Sequence, residues 1–181
     1  MKVPLALIPA LAILPLLIQG SQVPRKAADL SFRTTEGQIE KLSSYRGKVI
    51  ALEFILTTCP HCQAAAKVMT QLQNELGPRG FQAIDIAVNQ DADKLVADFK
   101  RDFQVGFPVG YTDALTALKF LDVPAQRLLF PQLVLIDRQG TVRYQSPVTG
   151  DELVKDSATL RDKIHAILTS RESPRSSGRQ L

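Results

Sequence analysis

Residues 48–76 read KVIALEFILTTCPHCQAAAKVMTQLQNEL, and this stretch decides the fold class. Its first part, 48–56, is an apolar run of strand length, which is typical of a strand buried on both faces. Its second part, 60–76, has apolar residues at helical spacing and ends before a Gly-Pro pair, which predicts a helix. The two cysteines of the chain, Cys59 and Cys62, lie at the predicted junction of strand and helix.

The same alternation of strand and helix patterns continues along the chain. Further predictions are a short hairpin around 30–39, a buried strand over 81–88, a helix over 92–103, an extended piece from 107, a helix capped by Asp113 that ends at 121, strands over 133–136 and 142–144 joined by a turn at 137–140, and a final helix over 151–169. Strands that alternate with helices and end in a hairpin and a helix predict an α/β fold. We therefore expect one domain over 26–170, a mixed central sheet with helices on both faces.

The net charge of +4 comes from the two ends of the chain. Of the 22 Lys and Arg residues, Lys2, Arg171, Arg175 and Arg179 lie outside residues 3–170, which leaves 18 positive charges there against 17 negative ones. A nearly neutral body offers no basic surface for a phosphate backbone, so no nucleic-acid partner is expected.

Residues 1–22 have the pattern of a secretory signal peptide. A cationic start at Lys2 is followed by an apolar run and then by small or polar residues, with no further charge before Arg25. An uncleaved N-terminal membrane anchor is the open alternative. Either way, the leader predicts a periplasmic or otherwise extracytoplasmic location. Residues 171–181 are polar and rich in Ser and Arg, which predicts a disordered basic tail.

Cys59, Pro60, His61 and Cys62 form a C-x-x-C motif at the predicted start of the helix. The first thiol there faces unpaired backbone N–H groups and the positive end of the helix dipole, which favour the thiolate form. Cys59 is therefore the expected nucleophile. Cys62, one turn further along, is the expected buried resolving thiol. Pro60 suits an early helical position because it has no N–H to leave unbonded.

Other interpretations of the pair are weaker, and two of them stay open. A zinc site needs four ligands, and beyond the pair the strong candidates are only His61 and the distant His165. A thiol peroxidase is the first open alternative. A peroxidatic cysteine has Thr three residues before it, however, and Leu56 occupies that position ahead of Cys59. A copper-handling module that binds Cu(I) through Cys59 and Cys62, with His61 as a further ligand, is the second. The main interpretation needs no cofactor.

The motif and its surroundings resemble extracytoplasmic thioredoxin-fold proteins of the ResA/TlpA type, the redoxin group. The resemblance covers 31–168 and rests on Gly37, Leu42, Gly47-Lys48-Val49, Phe54, the two cysteines with Pro60, Phe107-Pro108-Val109 and Leu135-Ile136-Asp137-Arg138-x-Gly140. It implies a thioredoxin-like fold and thiol–disulfide exchange with protein partners, with a membrane electron donor or acceptor as a further expectation. Pro131 stands where the family has a cis-proline that faces the disulfide.

The resemblance also implies roles for individual residues. Pro131, Phe130 and Pro60 would line the partner groove, and the strand after Pro131 would pair with an extended substrate segment. Glu53 is unusual in its own right, because a charge within an apolar run is costly unless it is paired or protonated. In the family, an acid at this spacing moves protons to and from the inner cysteine. The open alternative is that Glu53 reaches solvent or Lys48 at the end of the strand.

The Pro-His dipeptide between the cysteines departs from this pattern and resembles the periplasmic oxidase DsbA. A protonated His61 beside the thiolate would stabilise the reduced state and raise the reduction potential. The range from thioredoxin-like to DsbA-like potentials is about 150 mV, or roughly 7 kcal/mol. That range is wide enough to reverse the direction of electron flow, so the sequence leaves the direction open.

Overall fold

The computed structural model describes residues 22–124 and 128–170, in which one eight-stranded sheet carries four α-helices. The strands are β1 (Arg25–Lys26), β2 (Ser31–Thr34), β3 (Ile39–Lys41), β4 (Val49–Ile55), β5 (Phe81–Ala87), β6 (Val109–Tyr111), β7 (Gln132–Ile136) and β8 (Thr141–Gln145). The helices are α1 (Pro60–Leu76), α2 (Ala92–Asp102), α3 (Ala114–Leu121) and α4 (Ser157–Thr169). The predicted tail and all but the last residue of the predicted leader lie outside the described residues.

The strand order is β1-β8-β7-β4-β5-β6-β2-β3, which places β4 near the middle of the sheet. β4 pairs with β5 in parallel and with β7 in antiparallel orientation, so the predicted mixed sheet is confirmed. The parallel pair is joined through α1, because a parallel connection needs a crossover. The carboxyl end of β4 therefore meets the N-terminal end of α1 at one edge of the sheet.

Helices cover both faces of the sheet, as predicted. Alternate residues of β4 point to opposite faces, and those at 49, 51 and 55 pack in one core with α1, α2 and α4. Those at 50, 52 and 54 pack in a second core with α3 and the hairpin of β2 and β3. The alternation places the side chain of Glu53 on the face that α1 covers.

The bounds of α1 agree with the sequence prediction, but those of the last helix do not. A helix was expected from residue 151, whereas a short 3-10 turn (Leu153–Lys155) comes first and α4 begins at Ser157. Asp156 ends the turn and caps α4, because its side chain accepts from the N–H groups of Ala158 and Thr159. Among the described residues, no helix is both long enough and apolar enough to cross a membrane.

Candidate active site

The two cysteines lie at the N-terminal end of α1, close to the carboxyl end of β4. Cys59 is the N-cap residue and Pro60 occupies the first helical position, as predicted. The Cys59 N–H donates to the Leu56 carbonyl at 3.0 Å, and the Cys59 carbonyl accepts from the Gln63 N–H at 3.0 Å. Both thiols are free; Cys59 is half-buried and Cys62 is completely buried. Only the first thiol is therefore open to another protein.

Asn89, which was not predicted from the sequence, holds the loop ahead of Cys59. The Asn89 side chain, just after β5, accepts hydrogen bonds from the Thr57 N–H at 3.0 Å and from the Thr57 hydroxyl at 3.3 Å. The Gln63 amide donates to the Thr57 carbonyl at 3.1 Å. These bonds tie the loop to both the neighbouring strand and the first turn of α1, which fixes the position of Cys59. A polar residue after a predicted buried strand was the only signal in the sequence.

Phe130 and Pro131 face the cysteines from the start of β7. Their peptide bond is cis, as the resemblance implied. The Cys59 thiol lies 4.0 Å from the Phe130 carbonyl oxygen, to which it donates a weak hydrogen bond. Pro131 is buried, and the Gln132 amide donates to the Leu129 carbonyl at 2.6 Å. The Phe130 carbonyl oxygen thus faces the half-buried sulfur atom of Cys59.

An open groove of about 550 Å³ runs past Cys59. Most of its lining residues are apolar, and two are acidic. Its lining consists of Leu56, Cys59, His61, Leu128, Leu129, Phe130, Pro131, Thr149, Gly150, Asp151, Glu152 and Val154. Pro60 is exposed next to Cys59 but does not line the groove. The groove is large enough to take side chains of an extended segment on either side of a partner cysteine.

The expectation that the strand after Pro131 pairs with substrate is wrong. β7 hydrogen-bonds to β4 along one edge and to β8 along the other. Even at its start, the Leu133 N–H donates to the Ser146 hydroxyl, and the Leu133 carbonyl accepts from the Ser146 N–H. The backbone that faces the cysteines is that of Phe130, before the strand begins.

Cys62 lies in the apolar layer between α1 and the sheet. Burial raises the pKa of its thiol, and the neighbouring Cys59 and Glu53 raise it further. The Leu56 N–H, 3.5 Å from the Cys62 sulfur, acts in the opposite direction. Cys62 is therefore a neutral thiol at neutral pH, and it needs a base before it can act as a nucleophile.

Glu53 is completely buried on the α1 face of β4, and its burial decides between the two interpretations of this residue. Neither carboxyl oxygen has a hydrogen-bond partner. The alternative contact with Lys48 is wrong, because the Lys48 ammonium group donates to Gln82 at 2.9 Å. Burial raises the pKa of Glu53, and the charge of Asp151 raises it further. The Glu53 carboxyl group lies on the same face of the sheet as Cys62, so a role in proton transfer stays a prediction.

A second buried acid, Asp85, lies beside Glu53. The two residues are partners in the register of β4 and β5, and Asp85 is also completely buried without a hydrogen bond. Burial raises the pKa of Asp85 well above its ordinary value, and the Glu53 charge adds to the shift. Asp85 was not predicted from the sequence, although it stands in an apolar run as Glu53 does.

Two further features bear on what the site can bind. His61 is exposed at the rim of the groove, one residue after Pro60. Within 22–124 and 128–170, no group of three or more His, Cys, Asp or Glu side chains is arranged to hold a metal ion. The sulfur atoms of Cys59 and Cys62 are the soft ligands of the site. Its geometry provides an accessible thiol, a buried thiol, a buried acid and a groove.

Comparison with protein families finds a match to the AhpC/TSA family over residues 23–145. Among curated proteins, the Thioredoxin-like protein YneN of Bacillus subtilis is 24% identical over 125 residues, which cover 68% of this chain and 71% of that protein. The "Probable glutathione peroxidase 8-B" of Xenopus laevis is 31% identical over an alignment of 158 residues that covers 74% of this chain and 73% of that protein.

Among solved structures, a "putative Thiol:disulfide interchange protein DsbE" of Chlorobium tepidum superposes on this chain with a TM-score of 0.65 and 25% sequence identity. The superposition covers 80% of this chain and 96% of the other. The match therefore extends over almost the whole of the other protein, and over most of the described residues here.

Proposed function

The chain belongs to the AhpC/TSA family and has a thioredoxin-like fold, and from this premise we propose that it is a thiol–disulfide oxidoreductase that exchanges disulfides with protein partners through Cys59 and Cys62. The observation that carries the proposal is the unequal exposure of the two thiols at the start of α1. Cys59 is half-buried at the wall of an open groove, and Cys62 is completely buried behind it. That arrangement suits a nucleophile and a resolving thiol.

The first step takes place at Cys59. Its thiolate attacks one sulfur of a partner disulfide, a bond forms between the two sulfur atoms, and the other partner sulfur leaves as a thiolate. The N-terminal end of α1 favours the negative charge on the attacking sulfur. The product is a mixed disulfide on Cys59.

The second step takes place at Cys62. Its proton passes to the Glu53 carboxylate, and its sulfur attacks the Cys59 sulfur of the mixed disulfide. The Cys59–Cys62 bond forms, the bond to the partner breaks, and the partner sulfur leaves with the electron pair. A nearby base is needed because burial raises the pKa of Cys62. Glu53, whose pKa is itself raised by burial, suits transfer in both directions.

Partner recognition would take place in the groove. Phe130 and Pro131 form its wall opposite Cys59, with Leu129 half exposed beside them. The Phe130 backbone offers a hydrogen-bonding edge to an extended segment. Pro60 and His61 are exposed next to the nucleophile, where they would contact the partner and influence the stability of the thiolate.

The reduction potential of the pair decides the direction of electron flow. A value near about −120 mV would make the protein an oxidant, as the dipeptide between the cysteines suggests. A value near or below about −270 mV would make it a reductant, as the resemblance to the ResA/TlpA type suggests. Equilibration of Cys59 and Cys62 with glutathione measures this potential directly.

We place the protein outside the cytoplasmic membrane, working with a membrane electron donor or acceptor. The support is the leader pattern of residues 1–22, which is that of a signal peptide or an N-terminal anchor. A fusion of this chain to a reporter that is active only after export tests the location. An inactive reporter would contradict it.

The replacement of either cysteine tests the proposed mechanism. Cys59→Ser should abolish the reduction of insulin and the oxidation of a dithiol substrate. Cys62→Ser should accumulate the mixed disulfide on Cys59, which mass spectrometry detects. If Cys59→Ser retains exchange activity, the proposed function is wrong.

A thiol peroxidase is the second candidate, and the relative from Xenopus laevis favours it. In that reaction the Cys59 thiolate would attack a peroxide oxygen to give a sulfenic acid and an alcohol or water. Attack by Cys62 would then form the disulfide and release water. Peroxide consumption with a thiol donor, compared between the wild-type protein and Cys59→Ser, separates this activity from disulfide exchange.

A further inference from the structure

Two carboxyl groups lie side by side in the centre of the sheet. Glu53 and Asp85 are register partners in parallel strands, which run about 4.8 Å apart, and both side chains point to the α1 face. Each residue has 0% exposure. None of the four carboxyl oxygens has a hydrogen-bond partner. The mechanism proposed above uses Glu53 and leaves Asp85 without a role.

The surroundings of the two acids are apolar. The same cross-strand row continues to Leu133 on the Glu53 side and to Val109 on the Asp85 side. The buried residues of α1, α2 and α4 are apolar except for Cys62. The titratable groups that act on the two acids are therefore Cys62 from α1 and Asp151 from the segment before α4. No cation faces either acid among these packed elements.

Two negative charges cannot coexist at this spacing in an apolar layer, because each destabilises the other and neither is solvated. Glu53 raises the pKa of the Cys62 thiol, so it is the acid of the pair that interacts with the reactive sulfur. Once Glu53 is ionised, its charge opposes the loss of a proton from Asp85. The two protons therefore leave in separate steps.

We propose that Glu53 and Asp85 form a proton-sharing pair in which Asp85 stays protonated while Glu53 exchanges a proton with Cys62. Asp85 is then a positioning residue: its hydroxyl donates a hydrogen bond to the Glu53 carboxylate and stabilises the base in an otherwise apolar layer. This role rests on the proposed function. The proton balance is complete, since Cys62 loses one proton, Glu53 gains it, and the proton of Asp85 is retained throughout.

Infrared spectroscopy of the reduced protein tests the pair without any partner. The band of protonated carboxyl groups should decrease in one step near neutral to mildly alkaline pH, and a second component should persist beyond it. Glu53→Gln should leave one component, that of Asp85, and this component should titrate at a lower pH than the persistent component of the wild type, because no Glu53 charge opposes it. Asp85→Asn should keep only the component that titrates. If no protonated carboxyl remains after the first step in the unaltered chain, the proposal is wrong.

The kinetics of the resolving step test the role of Asp85. Release of thionitrobenzoate from a mixed disulfide on Cys59 reports the attack of Cys62, and its pH midpoint reports the base. Asp85→Asn carries a neutral donor and should keep the midpoint within about half a pH unit. Asp85→Val removes the donor and should raise the midpoint by about one pH unit, a tenfold change in proton affinity. A midpoint lowered by one unit in Asp85→Asn would show that Asp85 is ionised and would overturn the proposal.

These outcomes separate the proposal from the proposed function. If thionitrobenzoate is never released from the wild-type protein, the exchange mechanism fails, and the infrared titration still decides whether the carboxyl pair exists. Asp137→Asn is the matched control, because Asp137 is also a buried acid but lies at the far end of β7. It should leave the pH midpoint of the resolving step unchanged.

Discussion

Two regions of the sheet bury carboxyl groups, and they treat them in opposite ways. At the turn between β7 and β8, Asp137 is 3% exposed and its oxygens accept from the Gln139 N–H at 3.0 Å, the Thr141 N–H at 2.8 Å and the Arg143 guanidinium at 2.6 Å. In the centre of the sheet, no backbone N–H group and no basic side chain donates to the oxygens of Glu53 and Asp85.

Burial alone therefore does not decide which form of a carboxyl group, ionised or protonated, is favoured. The hydrogen bonds of Asp137 replace those that its carboxylate would make with water, so the ionised form is stabilised and the hairpin turn is held. The central pair has no such replacement, so its protonated forms are favoured and the fold is less stable for it. A buried acid that makes the fold less stable and lies beside a reactive thiol is a candidate for a functional role, whereas the hydrogen bonds of Asp137 give that residue a structural role.

The largest expected effect is a loss of stability as the pH rises. Burial raises the pKa of Glu53 and Asp85 in the folded state, so the folded chain retains protons that the unfolded chain releases above about pH 4. The stabilising contribution is complete below that pH and is lost as the pH rises towards the raised pKa values. The retained Glu53 proton lowers the free energy of unfolding by about 1.4 kcal/mol per pH unit, or about 4 kcal/mol between pH 5 and 8, and the Asp85 proton acts in the same direction.

Urea denaturation at several pH values measures this slope. The double variant Glu53→Gln with Asp85→Asn is the control and should give a flat profile over the same range. Hydrogen-bonded surface acids do not interfere with this slope. The hydroxyls of Thr116 and Thr159 donate to Asp113 and Asp156 and lower the pKa of each carboxyl group, so the contributions of these two acids to stability change only below about pH 4. A flat wild-type profile would show that the central acids are not held protonated.

The next effect is the loss of the structural acid. Asp137→Ala leaves two backbone N–H groups of the turn without the Asp137 acceptor and removes the ion pair with Arg143. The Arg143 side chain is 39% exposed, so water compensates part of the lost ion pair. We expect the free energy of unfolding to fall by about 2–3 kcal/mol. Urea denaturation at pH 7 measures the loss, and a change below about 0.5 kcal/mol would contradict this explanation of Asp137.

The contrast between the two regions also shows what the sequence could predict. Local signals placed α1 correctly, because Pro60 and the Gly-Pro pair after residue 76 mark its two ends. The turn after β7 was equally clear from Gly140 at its end, and in the structure this glycine adopts a positive φ of 74°. The cysteine pair and the acid within the β4 run were visible in the same way.

Strand pairing was not visible. Asp85 is as unusual in its apolar run as Glu53 is in its own, but its importance comes from the register that brings the two together, and register is a tertiary property. The start of the last helix failed for a related reason. Asp151 looked like a first helical residue, but the Tyr144 and Ser146 hydroxyls, two strand-end groups, bond to its side chain.

The smallest effect concerns Asp151, whose carboxylate is hydrogen-bonded as that of Asp137 is and also acts on the central pair. Its oxygens accept from the Tyr144 hydroxyl at 2.6 Å, the Ser146 hydroxyl at 2.6 Å and the Leu153 N–H at 2.9 Å, yet its charge also raises the pKa of Glu53. Tyr144→Phe removes one hydrogen bond between two half-buried side chains. It should lower the free energy of unfolding by about 1 kcal/mol and leave the pH midpoint of the Cys62 step unchanged.

Asp151→Asn removes the charge instead and should lower that midpoint, by less than one pH unit because burial is the larger cause of the Glu53 shift. Urea denaturation and thionitrobenzoate release, measured on both variants, separate the two roles. If Tyr144→Phe moves the midpoint as far as Asp151→Asn does, then Glu53 responds to the position of the Asp151 side chain and not to its charge alone. Asp151 would then couple the wall of the groove to the buried pair, and a partner that moves the Asp151 side chain would change the proton affinity of Glu53.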